Sequence, residues 1–437
     1  MKTLIPSILA AALFAAAGFA QHDHTAPPDA ELPADAAAWI ADLEVLDDRI
    51  RTLHPLGDSI AFLARWETAV AGTRAALPGM AVPDRLAALS ALAAELDDGH
   101  TNLVPFFIPA AGFERQLPLR FYQFEDGLFV TSASDALADL AGARVDAIGG
   151  RPIGDLLAEA ARWVGADNPQ WQRNWAPVML RHALYLQALN AASAHGAELD
   201  LTLANGERRR VQLAFEASPE TPVSARTSGP AQYRTDRNFD FTYLADQHAV
   251  FAIYSAVEDE ADETVAQFAA RLFAYIETNE VDRLIIDIRE NGGGNNYLNQ
   301  PLLHSMIASR VNRPGGIIIL TGRATFSAAM NFATRAERHT QAIFIGEPTG
   351  GSPNHYGDPE FTFLPQTGLP VLISTLRWQD SAPNDGRQWI YPDVPVAERY
   401  SDWAAGRDAA LEAALGYDAA GLAAELPGLR WQRESQN

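Results

Sequence analysis

The segment LIIDIRENGGGNN (residues 284–296) and the later segment GIIILTGRATFSAAM (residues 316–330) each begin with an apolar run that breaks into a loop. Both have the pattern of a buried strand, a loop and the start of a helix. The first loop offers backbone N–H groups with no side chains in the way. The second presents the hydroxyl of Ser327 at a helix N-terminus, where the dipole favours negative charge. Free backbone N–H groups can form an oxyanion hole, and a hydroxyl in such a position can act as a nucleophile.

The same alternation extends on both sides of these segments and predicts an α/β layer whose strands are buried on both faces. We expect this core to occupy residues 249–437 and to end in a helical tail at about 408–425. The predicted strands are 250–254, 284–288, 316–320 and 342–345, and the predicted helices are 264–278, 297–309 and 327–338.

The sequence of the N-terminal part predicts three successive regions: a signal peptide, a leader and a helical domain. Residues 1–20 have one lysine, an apolar run and a small-residue ending, which is typical of a signal peptide cleaved after Ala20 and predicts export to the periplasm or the medium. Residues 21–36, rich in Pro, Ala and Asp, predict a flexible leader. Residues 37–110 carry apolar positions at helical spacing and predict a helical domain.

A β-rich module is predicted between the helical domain and the α/β core, over residues 117–216. It closes with a hairpin around Asn205-Gly206, and residues 155–193 form a helical insertion within it. Residues 217–248, which include a Pro- and Ser-rich stretch, predict a linker to the core.

Composition excludes several classes of function. The formal charge is −22, from 33 Lys plus Arg against 55 Asp plus Glu, which disfavours nucleic acid and anionic lipid as partners. We expect no integral membrane segment once the signal peptide is removed. The chain has no cysteine, and Lys2, its only lysine, lies in the predicted signal peptide. A cysteine nucleophile and, in the mature chain, a lysine base are therefore excluded.

Ser327 has a simpler interpretation as the N-cap of its helix, which is the commoner role of a lone serine in that place. Two observations favour a nucleophile. Thr325 can supply the cap, and the glycine loop follows the carboxyl end of a neighbouring strand, where open α/β sheets place their ligands. The sequence around Ser327 is not Gly-x-Ser-x-Gly, so an α/β-hydrolase elbow is not indicated.

Several ordered motifs together resemble the C-terminal processing peptidase family, which includes the tail-specific and tricorn-type serine proteases. The resemblance implies a multidomain α/β protein with an N-terminal helical domain, a PDZ-like module with a helical insertion, and a Clp/crotonase-like catalytic core. The motifs are DIRENGGG (287–294), TFSAA (325–329), IGEPTGG (345–351), DGHT (98–101) and YPDVPV (391–396).

The resemblance also implies roles for individual residues. Ser327 would be the nucleophile, with an oxyanion hole from the backbone N–H groups of Ala328 and Gly293. Tail-specific members use a lysine after the third motif, and this chain has none there. Tricorn-type members use a histidine of the helical domain, which implies His100 as the base, and a glutamate before the Pro-Asp motif, where Asp385 stands here.

Alternatives remain open for the base and its partner. His355 is a competing base, and with Ser352 and Asn354 it could instead contact substrate. Asp385 lies in an Asn-Asp-Gly sequence that favours a turn, so it could be a turn residue. No pattern typical of a metal or nucleotide site occurs, and we predict neither a metal nor another cofactor.

The leading prediction is an exported serine peptidase that cleaves extended or unfolded polypeptides through an acyl-enzyme. Without the lysine, a catalytically inactive peptide- or ligand-binding protein on the same scaffold is the first alternative. A crotonase-like acyl reaction is the second.

Overall fold

The computed structural model describes residues 31–105, 113–225 and 235–418. The predicted signal peptide, most of the predicted leader and the end of the predicted C-terminal helix lie outside these residues. No helix within the described ranges is both long enough and apolar enough to cross a membrane.

The N-terminal region is helical because its apolar residues recur every three or four positions. Helix α1 begins after Asp35, whose carboxylate accepts a hydrogen bond from the Ala37 N–H group. Its buried face includes Trp39 and Leu43, neither of which is exposed. A two-residue strand, β1, then follows the turn that carries His100. The elements are α1 (Ala36–Leu53), α2 (Ile60–Ala76), α3 (Val82–Ala94) and β1 (Asn102–Leu103).

The middle region forms a seven-stranded antiparallel sheet, with a small two-stranded sheet beside it. The predicted hairpin around Asn205-Gly206 is present, with Leu199 opposite Val211. Three helices separate the fourth and fifth strands of the larger sheet in chain order, as the predicted insertion requires. The elements are β2 (Arg115–Gln116), β3 (Leu119–Phe124), β4 (Gly127–Ala133), β5 (Arg144–Ile148), β6 (Arg151–Pro152), α4 (Ile153–Ala161), α5 (Pro169–Met179), α6 (Ala183–Ala188), β7 (Gly196–Thr202), β8 (Arg208–Ala214), β9 (Glu216–Ala217) and β10 (Val223–Ser224).

The C-terminal region is an α/β layer, which confirms the predicted fold class. Its six-stranded sheet has the order β11-β12-β13-β14-β15-β18, and neighbours from β12 to β18 are parallel. The elements are β11 (Phe239–Leu244), β12 (Ala249–Tyr254), α7 (Val265–Thr278), β13 (Arg283–Asp287), α8 (Asn299–Ala308), β14 (Ile317–Thr321), α9 (Ala328–His339), β15 (Ile343–Gly346), β16 (Asn354–Phe363), β17 (Pro370–Gln379), β18 (Val394–Pro395), α10 (Tyr400–Ala404) and α11 (Ala409–Leu415).

The central strands are apolar throughout because helices cover both faces of the sheet. On β13, Leu284 and Ile286 pack in the core formed with α7, α8 and α9, whereas Ile285 packs in a separate core with α11. β11 lies within the predicted linker and forms an antiparallel edge to this sheet. The alternating aromatic residues Phe239, Phe241 and Tyr243 are typical of a strand.

A hairpin joins the core to the helical region. Strands β16 and β17 extend from the α/β layer, and β17 pairs with β1, so that Asn102 lies opposite Leu372. The buried carboxylate of Asp42 on α1 accepts hydrogen bonds from the N–H groups of Gln366 and Thr367 in the turn of this hairpin. These contacts fix the position of the His100 turn relative to the core.

Candidate active site

Ser327 lies between β14 and α9 in a strained backbone conformation. Its φ of 55° and ψ of −128° are rare for a residue other than glycine, and such strain is concentrated at functional sites. The serine side chain does not cap α9. The Thr325 hydroxyl does not cap it either, because it donates to the Ile288 carbonyl and accepts from the Gly322 N–H group. A strained elbow is therefore present without the Gly-x-Ser-x-Gly sequence.

His100 meets Ser327 across the boundary between the helical region and the core. Its Nε2 atom lies 2.9 Å from the Ser327 Oγ atom. The imidazole is only 2 % exposed. Residues 227 positions apart are thus within hydrogen-bond distance, the arrangement that a serine nucleophile and its base require.

Phe326 supports the imidazole from one side. Its ring stacks on His100, with centroids 4.3 Å apart, and on Trp171 of α5, with centroids 3.8 Å apart. Position 99 must be a glycine, because a Cβ atom there would lie 2.6 Å from the Phe326 ring. The helical insertion therefore helps to build the site, through a contact that no local sequence pattern indicates.

Asp167, also from the insertion, joins two loops of the site. Its carboxylate accepts hydrogen bonds from the N–H groups of Gly99 (2.9 Å) and Ser352 (3.1 Å). Burial and the nearby Asp98 carboxylate raise the pKa of Asp167 to about 7, which the two N–H donors oppose. No motif marked this residue in the sequence.

The electrostatic environment keeps His100 neutral. Burial lowers the pKa of His100 to about 3, with a further lowering by His355, while Asp98 and the backbone of Tyr356 oppose the shift. At neutral pH the imidazole therefore carries no charge and has an acceptor nitrogen for the serine proton.

The glycine loop lies directly against the nucleophile. Gly293 has a φ of 114°, and a Cβ atom there would lie 2.5 Å from the Ser327 Cβ atom and 3.0 Å from the Ala328 nitrogen. The Ala328 N–H group is at the first position of α9, where a helix provides no acceptor. The Gly293 N–H group, in contrast, donates to the Asn291 side chain at 2.9 Å.

His355 is close to His100 but does not reach Ser327. The two imidazole rings are nearly parallel, with centroids 5.8 Å apart. The His355 Nδ1 atom hydrogen-bonds to the Ser352 carbonyl oxygen at 3.0 Å, so it carries the proton. The Ser352 hydroxyl donates to the Gln388 carbonyl oxygen, and Asn354 Nδ2 donates to that of Ala382. All three side chains therefore have structural contacts in this loop.

Asp385 is not brought to the imidazole. Its carboxylate accepts from the Ser381 hydroxyl at 2.5 Å and from the Arg387 guanidinium, and Arg387 in turn pairs with Glu337 on α9. No hydrogen bond joins Asp385 to His100 within the described ranges. The aspartate occupies a turn, as the Asn-Asp-Gly sequence favours, and the carboxylate next to His100 is instead Asp98, with oxygen Oδ1 4.0 Å from Nδ1.

Comparison with solved structures shows what this fold is similar to. The chain matches mature CPAF complexed with lactacystin at a TM-score of 0.60 and 12 % identity, over 85 % of this chain and 96 % of that one. It matches a mutant of CPAF at the same TM-score and identity, over 87 % and 96 % of the two chains. No family model and no curated protein matches the sequence. The chain therefore shares the fold of CPAF.

Proposed function

We propose that this protein is an exported serine peptidase that cleaves polypeptides through an acyl-enzyme on Ser327, with His100 as the general base. The observation that carries the proposal is the 2.9 Å separation of His100 Nε2 and Ser327 Oγ at a strained turn beside a glycine loop. The shared fold with CPAF, which is a serine protease, supports the same reaction class. Export rests on the predicted signal peptide in residues 1–20.

The reaction proceeds in two stages. The Ser327 hydroxyl gives its proton to His100 Nε2 as Oγ bonds to the carbonyl carbon of the substrate. The C–N bond then breaks, and the proton on Nε2 passes to the leaving amine. In the second stage water gives a proton to Nε2, its oxygen attacks the acyl carbon, and Ser327 leaves with the proton restored.

The tetrahedral intermediates require two N–H donors. The Ala328 N–H group supplies the first, since the helix leaves it without an acceptor. We assign the second to Gly293, whose amide must exchange the Asn291 side chain for the substrate oxygen. The flexibility of glycine at a φ of 114° permits that exchange.

The occupied Gly293 N–H group favours one alternative. If the exchange does not occur, the oxyanion hole stays incomplete and the protein binds polypeptides without cleaving them. Both functions use the same site and the same class of partner, an extended polypeptide chain.

Replacement of the nucleophile separates these two functions. We expect wild-type protein to hydrolyse casein and to react with a fluorophosphonate probe at Ser327, and we expect Ser327→Ala to do neither. Ser305→Ala on α8, a serine outside the site, serves as the matched control and should behave as wild type. Hydrolysis by Ser327→Ala would contradict the peptidase assignment, and peptide affinity without labelling of wild type would favour the binding function.

A further inference from the structure

The hydrogen bond between His100 and Ser327 determines where the imidazole carries its own proton. Because Nε2 accepts the serine proton, the ring proton of neutral His100 must be on Nδ1. Nδ1 is buried and makes no hydrogen bond of good geometry with the described residues, although the Tyr356 backbone is close enough to favour a protonated ring. The nearest carboxylate oxygen, Asp98 Oδ1, is 4.0 Å away.

Asp98 is held rigidly beside this ring. Its side chain is fully buried, and Oδ1 accepts a hydrogen bond from the His100 backbone N–H group at 2.9 Å. The second oxygen, Oδ2, accepts from the Thr101 hydroxyl at 2.6 Å and contacts the His54 Nε2 atom at 3.2 Å. Donors from two separate elements therefore fix the carboxylate.

His54 contacts Asp98 in one definite tautomer. The His54 Nδ1 atom accepts a hydrogen bond from the Leu56 N–H group at 3.1 Å, so the ring proton must be on Nε2. Nε2–H then donates to Asp98 Oδ2. The His54 side chain is fully buried, and the Tyr356 ring packs on it with centroids 4.7 Å apart.

We propose that Asp98 is the positioning residue for His100 and that His54 holds Asp98 in place, which gives the ordered series Ser327, His100, Asp98 and His54. When Nε2 takes the serine proton, positive charge forms on a ring that is 4.0 Å from the carboxylate. A neutral His54 leaves the negative charge of Asp98 available to that ring. The inference rests on the proposed function and replaces Asp385 in the third role.

The ionisable groups around the series are consistent with these charges. Burial raises the pKa of Asp98, but the hydrogen bond from His54 and the nearby His100 ring lower it to about 2, so Asp98 stays ionised. The His355 ring lies nearly parallel to that of His100, and burial lowers the pKa of His355 as well. Asp167 accepts a hydrogen bond from the Gly99 backbone, and its carboxylate is close enough to Asp98 for the two groups to interact. Thr101, Ser374 and the phenol of Tyr356 also lie close to Asp98.

Variants of Asp98 and His54 test the series through the pH profile. We measure kcat/KM on a casein-derived peptide and the rate of fluorophosphonate labelling of Ser327. For Asp98→Asn we expect both to fall by about 100-fold or more. For His54→Phe we expect a fall of about 10-fold. We also expect the acid limb of the pH profile, where activity is lost as the pH falls, to move to higher pH, because Asp98 loses a hydrogen-bond donor and its pKa rises. His54→Gln, which keeps a donor, should recover the wild-type limb.

Loss of a buried histidine elsewhere controls for general destabilisation. His182→Gln removes a buried imidazole that contacts the Phe113 carbonyl oxygen, and its acid limb should not move. A wild-type rate and pH profile in Asp98→Asn would overturn the proposal, as would an equal shift of the limb in His54→Phe and His182→Gln.

The tautomers provide a test that needs no variant to fold. Nitrogen-15 spectra of the histidine side chains should show His54 with its proton on Nε2 and His100 with its proton on Nδ1 throughout the neutral range. His54 protonated on Nδ1 would overturn the proposal. Absence of any labelling of wild-type Ser327 would reject the peptidase function, whereas these spectra report on Asp98 and His54 independently of it.

Discussion

The ring of Trp171 stacks on the ring of Phe326 with centroids 3.8 Å apart and 11° between their planes. Phe326 immediately precedes the nucleophile, and its other face packs on His100. The insertion in the β-rich region is thus in contact with the base through one aromatic side chain.

Trp171→Leu should therefore reduce catalysis as well as stability. We expect a loss of roughly 2–4 kcal/mol in the free energy of unfolding, since a large buried ring is replaced by a smaller side chain. We also expect kcat per folded molecule to fall by about 10-fold, because Phe326 and His100 lose their support. Trp163→Leu is the matched control: Trp163 packs on Tyr185 in the same insertion, away from Phe326. Urea unfolding and kcat are measured on both variants. An equal fall in kcat for the two would contradict a role of Trp171 in supporting the base.

The two histidines of the site should differ sharply when each is replaced. We expect His100→Ala to lower kcat/KM by about 100- to 10,000-fold, the usual contribution of a general base. His355→Ala should retain activity within about 10-fold, because its Nδ1 atom contacts Ser352 and it does not reach Ser327. Peptide hydrolysis at neutral pH measures both, and greater loss in His355→Ala would make His355 the base.

Gly293→Ala should abolish activity in a protein that still folds. The new Cβ atom would lie 2.5 Å from the Ser327 Cβ atom, and φ at 114° is strained for alanine, at a cost of roughly 1–3 kcal/mol. Gly386→Ala is the control, because no heavy atom lies within 4 Å of its added Cβ. We compare fluorophosphonate labelling and thermal unfolding of both variants. Labelling of Gly293→Ala at the wild-type rate would mean that the loop does not form the oxyanion hole.

The buried base should give an acid-tolerant reaction. Burial lowers the pKa of His100 from its ordinary value near 6.5 to about 3, so the ring stays neutral in mildly acidic solution. We therefore expect the labelling rate of Ser327 to be level from pH 8 to about pH 5. An exposed histidine base would instead lose most of its activity below about pH 6. A midpoint near 6.5 in the labelling rate would contradict the burial of His100 in the active protein.

The same shift has a consequence for stability. Because the unfolded chain binds a proton on His100 near pH 6.5 and the folded protein does not until about pH 3, this group destabilises the fold as the pH falls between those values. The slope for one such group is about 1.4 kcal/mol per pH unit. Relative to His100→Gln, wild-type protein should therefore lose stability toward acid, which urea unfolding at pH 7 and pH 5 measures.

The sequence predicted the parts of the site that depend on local pattern. The strand, loop and helix around Ser327 follow from apolar runs and glycines, and the family resemblance implied His100. The roles of Trp171, Asp167 and His54 depend on packing between residues far apart in the chain, which periodicity cannot predict. Asp98 stood within a quoted motif, but only its burial next to both histidines distinguishes it from a turn residue. Asp385 stands where the family resemblance implies an acidic partner for the base, but its position in the sequence did not bring it to the imidazole.

Asp42 should control activity from outside the site, because it fixes the helical region to the core. Its buried carboxylate accepts hydrogen bonds from two backbone N–H groups and the Thr367 hydroxyl in the turn of the β16–β17 hairpin, and β17 pairs with the strand that follows His100. Asp42→Ala leaves the buried N–H group and hydroxyl of Thr367 without an acceptor, at a cost of roughly 1–3 kcal/mol or more.

We expect Asp42→Ala to lower kcat by about 10-fold, because the His100 turn moves relative to Ser327. Glu44→Ala is the control: Glu44 pairs with Arg74 at the exposed surface of the same helix and should change stability by less than about 1 kcal/mol. Urea unfolding and kcat measured on both variants separate an effect of Asp42 on catalysis from one on stability. If Asp42→Ala lost stability but kept the wild-type kcat per folded molecule, the meeting of His100 and Ser327 would not depend on this contact.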